Sequence, residues 1–258
     1  MLCVVMAGLV MSPRLAGNEV NNNLQHRLKQ VSIAVEDARP VAKAIETLEA
    51  RYGWVITYED PRYAYADDIV DVTEKVRRDL HKHPEGQAPK VFIPKGGHLS
   101  FEYDVIADTN LPTSSEVVVR QLLNAQVASP NSARFRFEKS NAIIHVIPSR
   151  IKDRSGKLTP QQSLLDTVVS LPADERTGLR TLEALTKTIG KATQTRIVVG
   201  NIPSNLFLRH KDREGVAGQK AREVLTELLQ RMSPGKPLSW QLLYDPGMKI
   251  YFMNIHAL

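Results

Sequence analysis

The feature that most constrains the fold is an order of secondary-structure elements that occurs twice along the 258 residues. Short runs of alternating hydrophobic residues predict β-strands, and apolar residues at three- and four-residue steps predict amphipathic helices. In each half, a strand–helix–strand piece is followed by a helix and a closing hairpin. Chance rarely produces the same order twice, so we expect an α+β protein of two small domains. Each domain is predicted to be a mixed β-sheet with two helices packed on one face (βαβ–βαββ-like).

Residues 30–148 form the first predicted domain. A helix near 38–52 ends at Gly53, a residue that adopts the left-handed conformation of a helix C-cap at little cost. The strand Trp54–Tyr58 follows, and it stops at Asp60-Pro61 because proline cannot continue a central β-ladder. The first domain therefore begins with a compact strand–helix–strand piece.

A proline- and glycine-rich insertion, residues 62–98, separates this piece from the rest of the first domain. Polar residues 149–163 predict an inter-domain linker. Residues 164–258 repeat the order of elements in a more compact form. Their closing hairpin turns at Asp245-Pro246-Gly247, a strong turn signal.

The N-terminus resembles an export signal. The apolar run Leu2–Met11 is too short for a membrane-spanning helix, which needs about 20 residues. It has the length of a signal-peptide core, although no Lys or Arg precedes it. We expect a signal peptide over 1–17, a linker over 18–29, a mature chain without a membrane span, and a periplasmic or secreted location.

One family shares the residue pattern of the first domain. The stretch Val31–Pro148 resembles the short N-terminal (STN) domain of secretins and TonB-dependent receptors. The resemblance rests on a helix with spaced alanines, a Gly-hydrophobic step, and a strand ending at Asp-Pro: Ala38, Ala42, Leu48, Gly53, Trp54 and Asp60-Pro61. It is weaker over Val168–Ile255, and the insertion is longer than the family carries there. The resemblance implies a periplasmic protein-interaction module, which this chain is expected to contain in two tandem copies.

Composition and charge argue against two classes of function, nucleic-acid binding and cysteine chemistry. The formal net charge is +6, but basic residues alternate with acids and aromatics make up only 6%. A nucleic-acid-binding surface gathers basic residues on one face, often with aromatics between them, so no nucleic-acid partner is expected. Cys3, the only cysteine, lies in the predicted signal peptide. A mature chain without cysteine has no disulfide, thiolate metal site or cysteine nucleophile.

Histidines offer the first candidates for chemistry. His81 and His83 have the spacing of a zinc pair on an extended strand, and His98 lies in the same insertion. No third ligand has a convincing spacing, so we interpret these histidines as solvated loop residues. His145 and His256 lie in or beside hairpin strands and are interpreted as structural.

Acidic residues offer the second set: Glu59, Asp60, Asp67, Asp68 and Asp71. Paired carboxylates perform acid–base catalysis or bind calcium. The EF-hand spacing is missing, and a charged loop is the favoured interpretation. Trp54 and Trp240 lie in predicted strands and are interpreted as buried packing residues rather than stacking platforms. No nucleophile-elbow, phosphate-loop or dinucleotide motif occurs.

These observations predict a non-enzymatic, exported protein-interaction module whose partner is another envelope protein, with no catalytic, cofactor or metal residues. The open edges of its closing hairpins are the predicted binding surfaces, because an unpaired strand can accept a strand from a partner. The alternative is a ligand- or metal-binding protein, or an enzyme, with its site near insertion 62–98. Asp68 and His83 are the residues that would test that alternative.

Overall fold

The computed structural model describes residues 27–79, 82, 88–128 and 133–258. The predicted signal peptide, most of the predicted linker 18–29, and His81 and His83 lie outside the described residues. Strand β1 already begins at Leu28, so the last residues assigned to that linker belong to the fold. The described chain forms six α-helices and fifteen strands, and the predicted α+β class is confirmed.

The described residues of the first half form eight strands and three helices. They are, in order, β1 (Leu28–Asp37), α1 (Pro40–Tyr52), β2 (Val55–Glu59), β3 (Ile69–Asp71), α2 (Thr73–Val76), β4 (Phe92–Pro94), β5 (Gly97–Ile106), α3 (Ser115–Ala128), β6 (Arg134–Ser140), β7 (Ile143–Lys152) and β8 (Leu158–Pro160). The insertion supplies β3, α2 and β4, and β3 pairs antiparallel with β4.

The second half contains seven strands and three helices. They are β9 (Val168–Leu171), β10 (Arg176–Thr177), α4 (Gly178–Thr193), β11 (Arg196–Val199), α5 (Ser204–Arg209), β12 (Lys211–Asp212), β13 (Val216–Lys220), α6 (Ala221–Met232), β14 (Leu238–Asp245) and β15 (Ile250–Ala257). Strand β13 has no counterpart in the predicted order of elements.

The two halves share one pairing pattern. Strand β1 pairs antiparallel with β5, as β9 does with β13. Strand β2 runs parallel to β7, which pairs antiparallel with β6. In the same way, β11 runs parallel to β15, which pairs antiparallel with β14. The duplication is therefore one of topology, and the strands β1, β2, β5, β6 and β7 of the first half have the equivalents β9, β11, β13, β14 and β15 in the second.

The C-terminal ends of α1 and α4 show which residues of the two halves are equivalent. Helix α1 ends at Gly53 with φ 66°, and the Gly53 N–H donates to Glu49 O. Helix α4 ends at Gln194 with φ 52°, and the Gln194 N–H donates to Gly190 O. Both residues are left-handed C-caps. Glu49 is thus equivalent to Gly190, and the following strands β2 and β11 are equivalent along their length.

One sheet runs through both halves. Its strand order is β11-β15-β14-β2-β7-β6, with β8 also paired to β7. Strand β14 of the second half lies parallel to β2 of the first. The segment 149–163 differs from the predicted linker, since its first residues complete β7 and β8 pairs back onto them. Ile151 is buried, which explains why this polar stretch stays in the sheet.

Each half packs its helices against its own part of the sheet, on opposite faces. Ile56 and Tyr58 of β2 belong to a core with α1 and α3. Trp240 and Leu242 of β14 belong to a core with α4 and α6. Helices α1 and α3 also contact the β1–β5 ribbon. They therefore lie between two sheets, rather than on one face of a single sheet as the sequence pattern indicated.

Candidate functional site

The seam between the halves is a short ladder between β2 and β14. Only Tyr58 and Glu59 pair with Gln241 and Leu242. Where this ladder stops, side chains satisfy the backbone of Ile56. Its N–H donates to Glu49 Oε1 at 3.1 Å, and its carbonyl accepts from Ser239 Oγ at 3.3 Å. Polar side chains thus complete the edge of β2 where the neighbouring strand diverges.

Asp60 closes the other end of the seam. Its buried carboxylate accepts from Arg39 Nε at 2.6 Å, from the Tyr244 N–H at 3.0 Å and from the Tyr58 hydroxyl at 2.7 Å. Arg39 also donates to Tyr244 O at 2.6 Å. An ionised carboxylate that is buried needs such partners. Asp60 therefore links β2 to β14.

Glu59 forms a second buried cluster on the opposite face of the sheet. Its carboxylate accepts from Ser163 Oγ at 2.5 Å and from the Leu164 N–H at 2.7 Å. Arg222 of α6 lies 3.3 Å from both Glu59 and Asp166. Burial raises the pKa of Glu59, although Arg222 and the two hydrogen bonds oppose that rise. This cluster ties α6 to β2.

Two histidines line the same junction. His145 Nδ1 lies 2.8 Å from Thr57 Oγ1, and burial, aided by the charge of Arg222, lowers the pKa of His145 to about 4. His256 Nε2 lies 3.0 Å from Glu49 Oε2, and this hydrogen bond raises the pKa of His256. Both side chains hold elements of the junction together.

The remaining sequence candidates each contact a different partner or are exposed. His98 is exposed and lies 3.6 Å from Glu36, and buried Asp68 lies 3.4 Å from Lys152. Asp71 accepts from Thr73, and Asp67 is exposed. In the described residues, no group of three or more His, Cys, Asp or Glu side chains is placed to hold a metal ion.

The tryptophans differ from each other in burial. Trp54 is half-buried and stacks on Tyr52 with ring centroids 4.6 Å apart, whereas Trp240 is buried beneath α6. A mostly apolar cavity of about 300 Å³ lies beside the seam and is lined by Val55, Leu229 and Trp240, among others. It occupies the space where β2 and β14 diverge.

Of the two closing hairpins, only the first supplies an open edge of the kind that the sequence indicated. In the second hairpin, β14 is paired to β2 on its outer side and β15 to β11, so neither strand is free. In the first hairpin, β6 ends the sheet but carries a bulge at Arg134/Phe135. It also carries Arg136 and Lys139, which pair with Asp166 and Glu116. Bulges and charged side chains are devices that discourage pairing with another chain.

The other end of the sheet is β11, and a groove runs between this strand and α4. The groove has a volume of about 700 Å³, and its walls include Lys187, Gly190, Lys191 and residues 195–199. The Gly200 N–H donates to Met253 O of β15. Because backbone groups alternate in direction along a strand, the N–H and C=O of Ile197 and Val199 point away from β15. They face the groove.

Gly190 has no side chain that could cap this edge. A Cβ at Gly190 would lie 2.7 Å from Thr195 O, so only glycine allows α4 to approach β11 this closely. In the first half the equivalent residue is Glu49, whose carboxylate accepts from the edge N–H of Ile56. Glycine provides no such group for the equivalent N–H of Ile197.

The groove is positively charged. Lys187, Lys191 and Arg196 are exposed, and none of the three forms an ion pair within the described part of the chain. Glu183, the one acid among the described residues of the walls, pairs with Arg180 at 2.8 Å. An anionic segment lying in the groove would therefore be attracted by three cations.

Comparisons with known proteins assign no family. No protein-family model matches the chain, and neither a search of curated proteins nor one of solved structures gave a significant match. The resemblance to STN domains therefore stays a prediction. Among the helices that the structure describes, none is long and apolar enough to cross a membrane.

Proposed function

We propose that this protein is a non-enzymatic interaction module of the cell envelope, and that it binds an extended segment of another envelope protein along β11. One observation carries the proposal: β11 has an open edge, whereas the equivalent edge of β2 is filled by β14. Edge strands receive partner strands through backbone hydrogen bonds, and neighbouring pockets give specificity. The α4–β11 groove offers both.

A binding role also agrees with how the polar residues are used. Glu59 and Asp60 hold the seam, and His145 and His256 bond to Thr57 and Glu49. These contacts join structural elements, which gives the side chains a structural role. The apolar run Leu2–Met11 and the STN-like pattern support export. Fractionation of the producing cells tests this location.

Site-specific photo-crosslinking in the producing cells tests the function. A photoreactive amino acid replaces Val198, which is half-buried in the centre of β11. We expect one discrete adduct with another envelope protein. The second substitution Val199→Pro removes the outward N–H of Val199, and we expect it to abolish the adduct.

The matched control places the photoreactive residue at Glu138 of β6, the guarded edge at the other end of the sheet. We expect no adduct there. An adduct at Val198 that survives Val199→Pro, an adduct from Glu138 alone, or no adduct at either position would each contradict strand addition at β11. Circular dichroism of the Val199→Pro variant establishes that the fold is retained.

A further inference from the structure

We propose that the segment received by β11 runs parallel to this strand and carries carboxylate side chains that bind Lys187 and Lys191. This inference rests on the proposed function and adds the direction and charge of the partner. It identifies the partner as an acidic extended segment of another protein.

The direction follows from the internal duplication. Strand β2 already receives a strand, because β14 lies against its open edge and runs parallel to it. Strands β2 and β11 are equivalent, and both run parallel to the inner strand of their own hairpin. Helices α1 and α4 are likewise equivalent. A strand that enters the α4–β11 groove in the same way as β14 therefore runs parallel to β11.

The charge follows from the helix residue that meets the incoming strand. In the first half, Glu46 Oε1 of α1 accepts from Gln241 Nε2 of β14 at 3.2 Å. Alignment of the helix C-caps makes Lys187 of α4 the equivalent of Glu46. The second half thus has a cationic donor, Lys187, where the first half has an acceptor, Glu46. The partner residue that faces Lys187 is therefore expected to be an acceptor, most favourably a carboxylate.

A second carboxylate is matched to Lys191. Lys187 and Lys191 are one helical turn apart, which corresponds to about 6 Å along α4. Alternate residues of a strand are spaced by about 6.6 Å and point to the same face. Two acidic residues separated by one residue therefore have the spacing of the two lysines.

A second copy of this chain is disfavoured as the partner by the charge of its own edge strand. Strand β6 is the equivalent of β14, since Phe137 pairs with Val146 as Leu242 pairs with Met253. Arg136 then takes the position of Gln241. If β6 of another copy entered the groove, Arg136 would face Lys187, and like charges at close range repel.

Binding of matched probes tests the charge. A soluble carrier protein ends in the segment Thr-Val-Glu-Val-Glu-Val-Thr, and two further carriers have Gln or Lys in place of both Glu residues. We expect the Glu probe to bind the wild-type protein at least tenfold more tightly than the Gln probe, with an advantage that shrinks as salt rises. The double variant Lys187→Glu/Lys191→Glu should prefer the Lys probe.

The outcomes separate the inference from the function on which it rests. Equal binding of the Glu and Gln probes, lost in Val199→Pro, would refute the acidic partner and keep strand addition. Equal charge preference in the wild type and the double variant would also refute it. If none of the probes bound the wild-type protein, strand addition at β11 would itself be overturned, and the inference with it.

Paramagnetic broadening tests the direction. A nitroxide is attached to the residue before the Glu-containing segment. A parallel strand places its N-terminal end near Arg196, so the Arg196 amide should broaden more than the Gly200 amide. The opposite order of broadening would overturn the parallel arrangement.

Discussion

Replacement of His145 by glutamine tests whether the junction between the halves excludes a charged imidazole. His145 is 2% exposed, and burial lowers its pKa from 6.5 to about 4. The group is therefore neutral in the folded protein at pH 5, whereas an unfolded histidine is mostly protonated. The unfolded state binds more protons, so acidification favours unfolding.

The magnitude follows from the two pKa values. Between pH 7 and pH 5 the free energy of unfolding should fall by about 2 kcal/mol through His145 alone, and by about 3 kcal/mol once the pH is below 4. The His145→Gln variant lacks this titration. We therefore expect its unfolding free energy to fall by about 2 kcal/mol less than that of the wild type between pH 7 and pH 5.

Urea unfolding at both pH values measures this difference. The variant lacks the Thr57 contact at pH 7 and at pH 5 alike, so the cost of losing that contact cancels when the two values are subtracted. His256→Gln is the matched control with the opposite sign. Glu49 raises the pKa of His256 in the folded protein. The stability that protonated His256 contributes is therefore complete below the unfolded pKa of 6.5, and it is lost as the pH rises through the folded pKa. An equal pH dependence in wild type and His145→Gln would refute the reasoning.

The remaining predictions concern buried polar groups beside the seam. Arg222→Met leaves the buried Glu59 without its cation, although Asp166 keeps its pair with Arg136, and it should lower the unfolding free energy by about 3–5 kcal/mol. Arg180→Met, which removes an exposed pair, should cost less than about 1 kcal/mol, and equal losses would contradict the role of Arg222. Thr226 Oγ1 is buried without a hydrogen-bond partner in the described residues, so Thr226→Val should be neutral or stabilising by about 1 kcal/mol. Thermal unfolding measures this, and a clear loss of stability would show that the hydroxyl is satisfied.

Hydrophobic periodicity was sufficient to predict the α+β class and most of the elements. Helix α4 carries Leu182, Leu185 and Ile189 on one buried face, and the mostly apolar run Thr195–Val199 predicts a strand that begins one residue before β11. Strand β13 was missed because its sequence, VAGQK, does not alternate and is mostly exposed. It is a strand because β9 pairs with it, which is a tertiary effect.

The seam could not be predicted from sequence, because it depends on contacts between residues far apart in the chain. Glu59 and Asp60 were interpreted as part of a charged loop, yet they bond to Leu164 and Tyr244. Nothing in the local sequence distinguishes a loop carboxylate from one that joins two halves. The open edge of β11 was hidden in the same way, since a strand's position in a sheet is set by topology rather than by periodicity.

Residue-resolved hydrogen exchange of β11 tests the central claim most directly. The amides of Ile197, Val198 and Val199 are followed in the free protein and with the saturating Glu probe. Strand addition predicts at least tenfold slower exchange at Ile197 and Val199, whose N–H groups face the groove, and little change at Val198, which already faces β15. Unchanged exchange at Ile197 and Val199 with the probe bound, or protection that appears on β6 instead, would contradict the account.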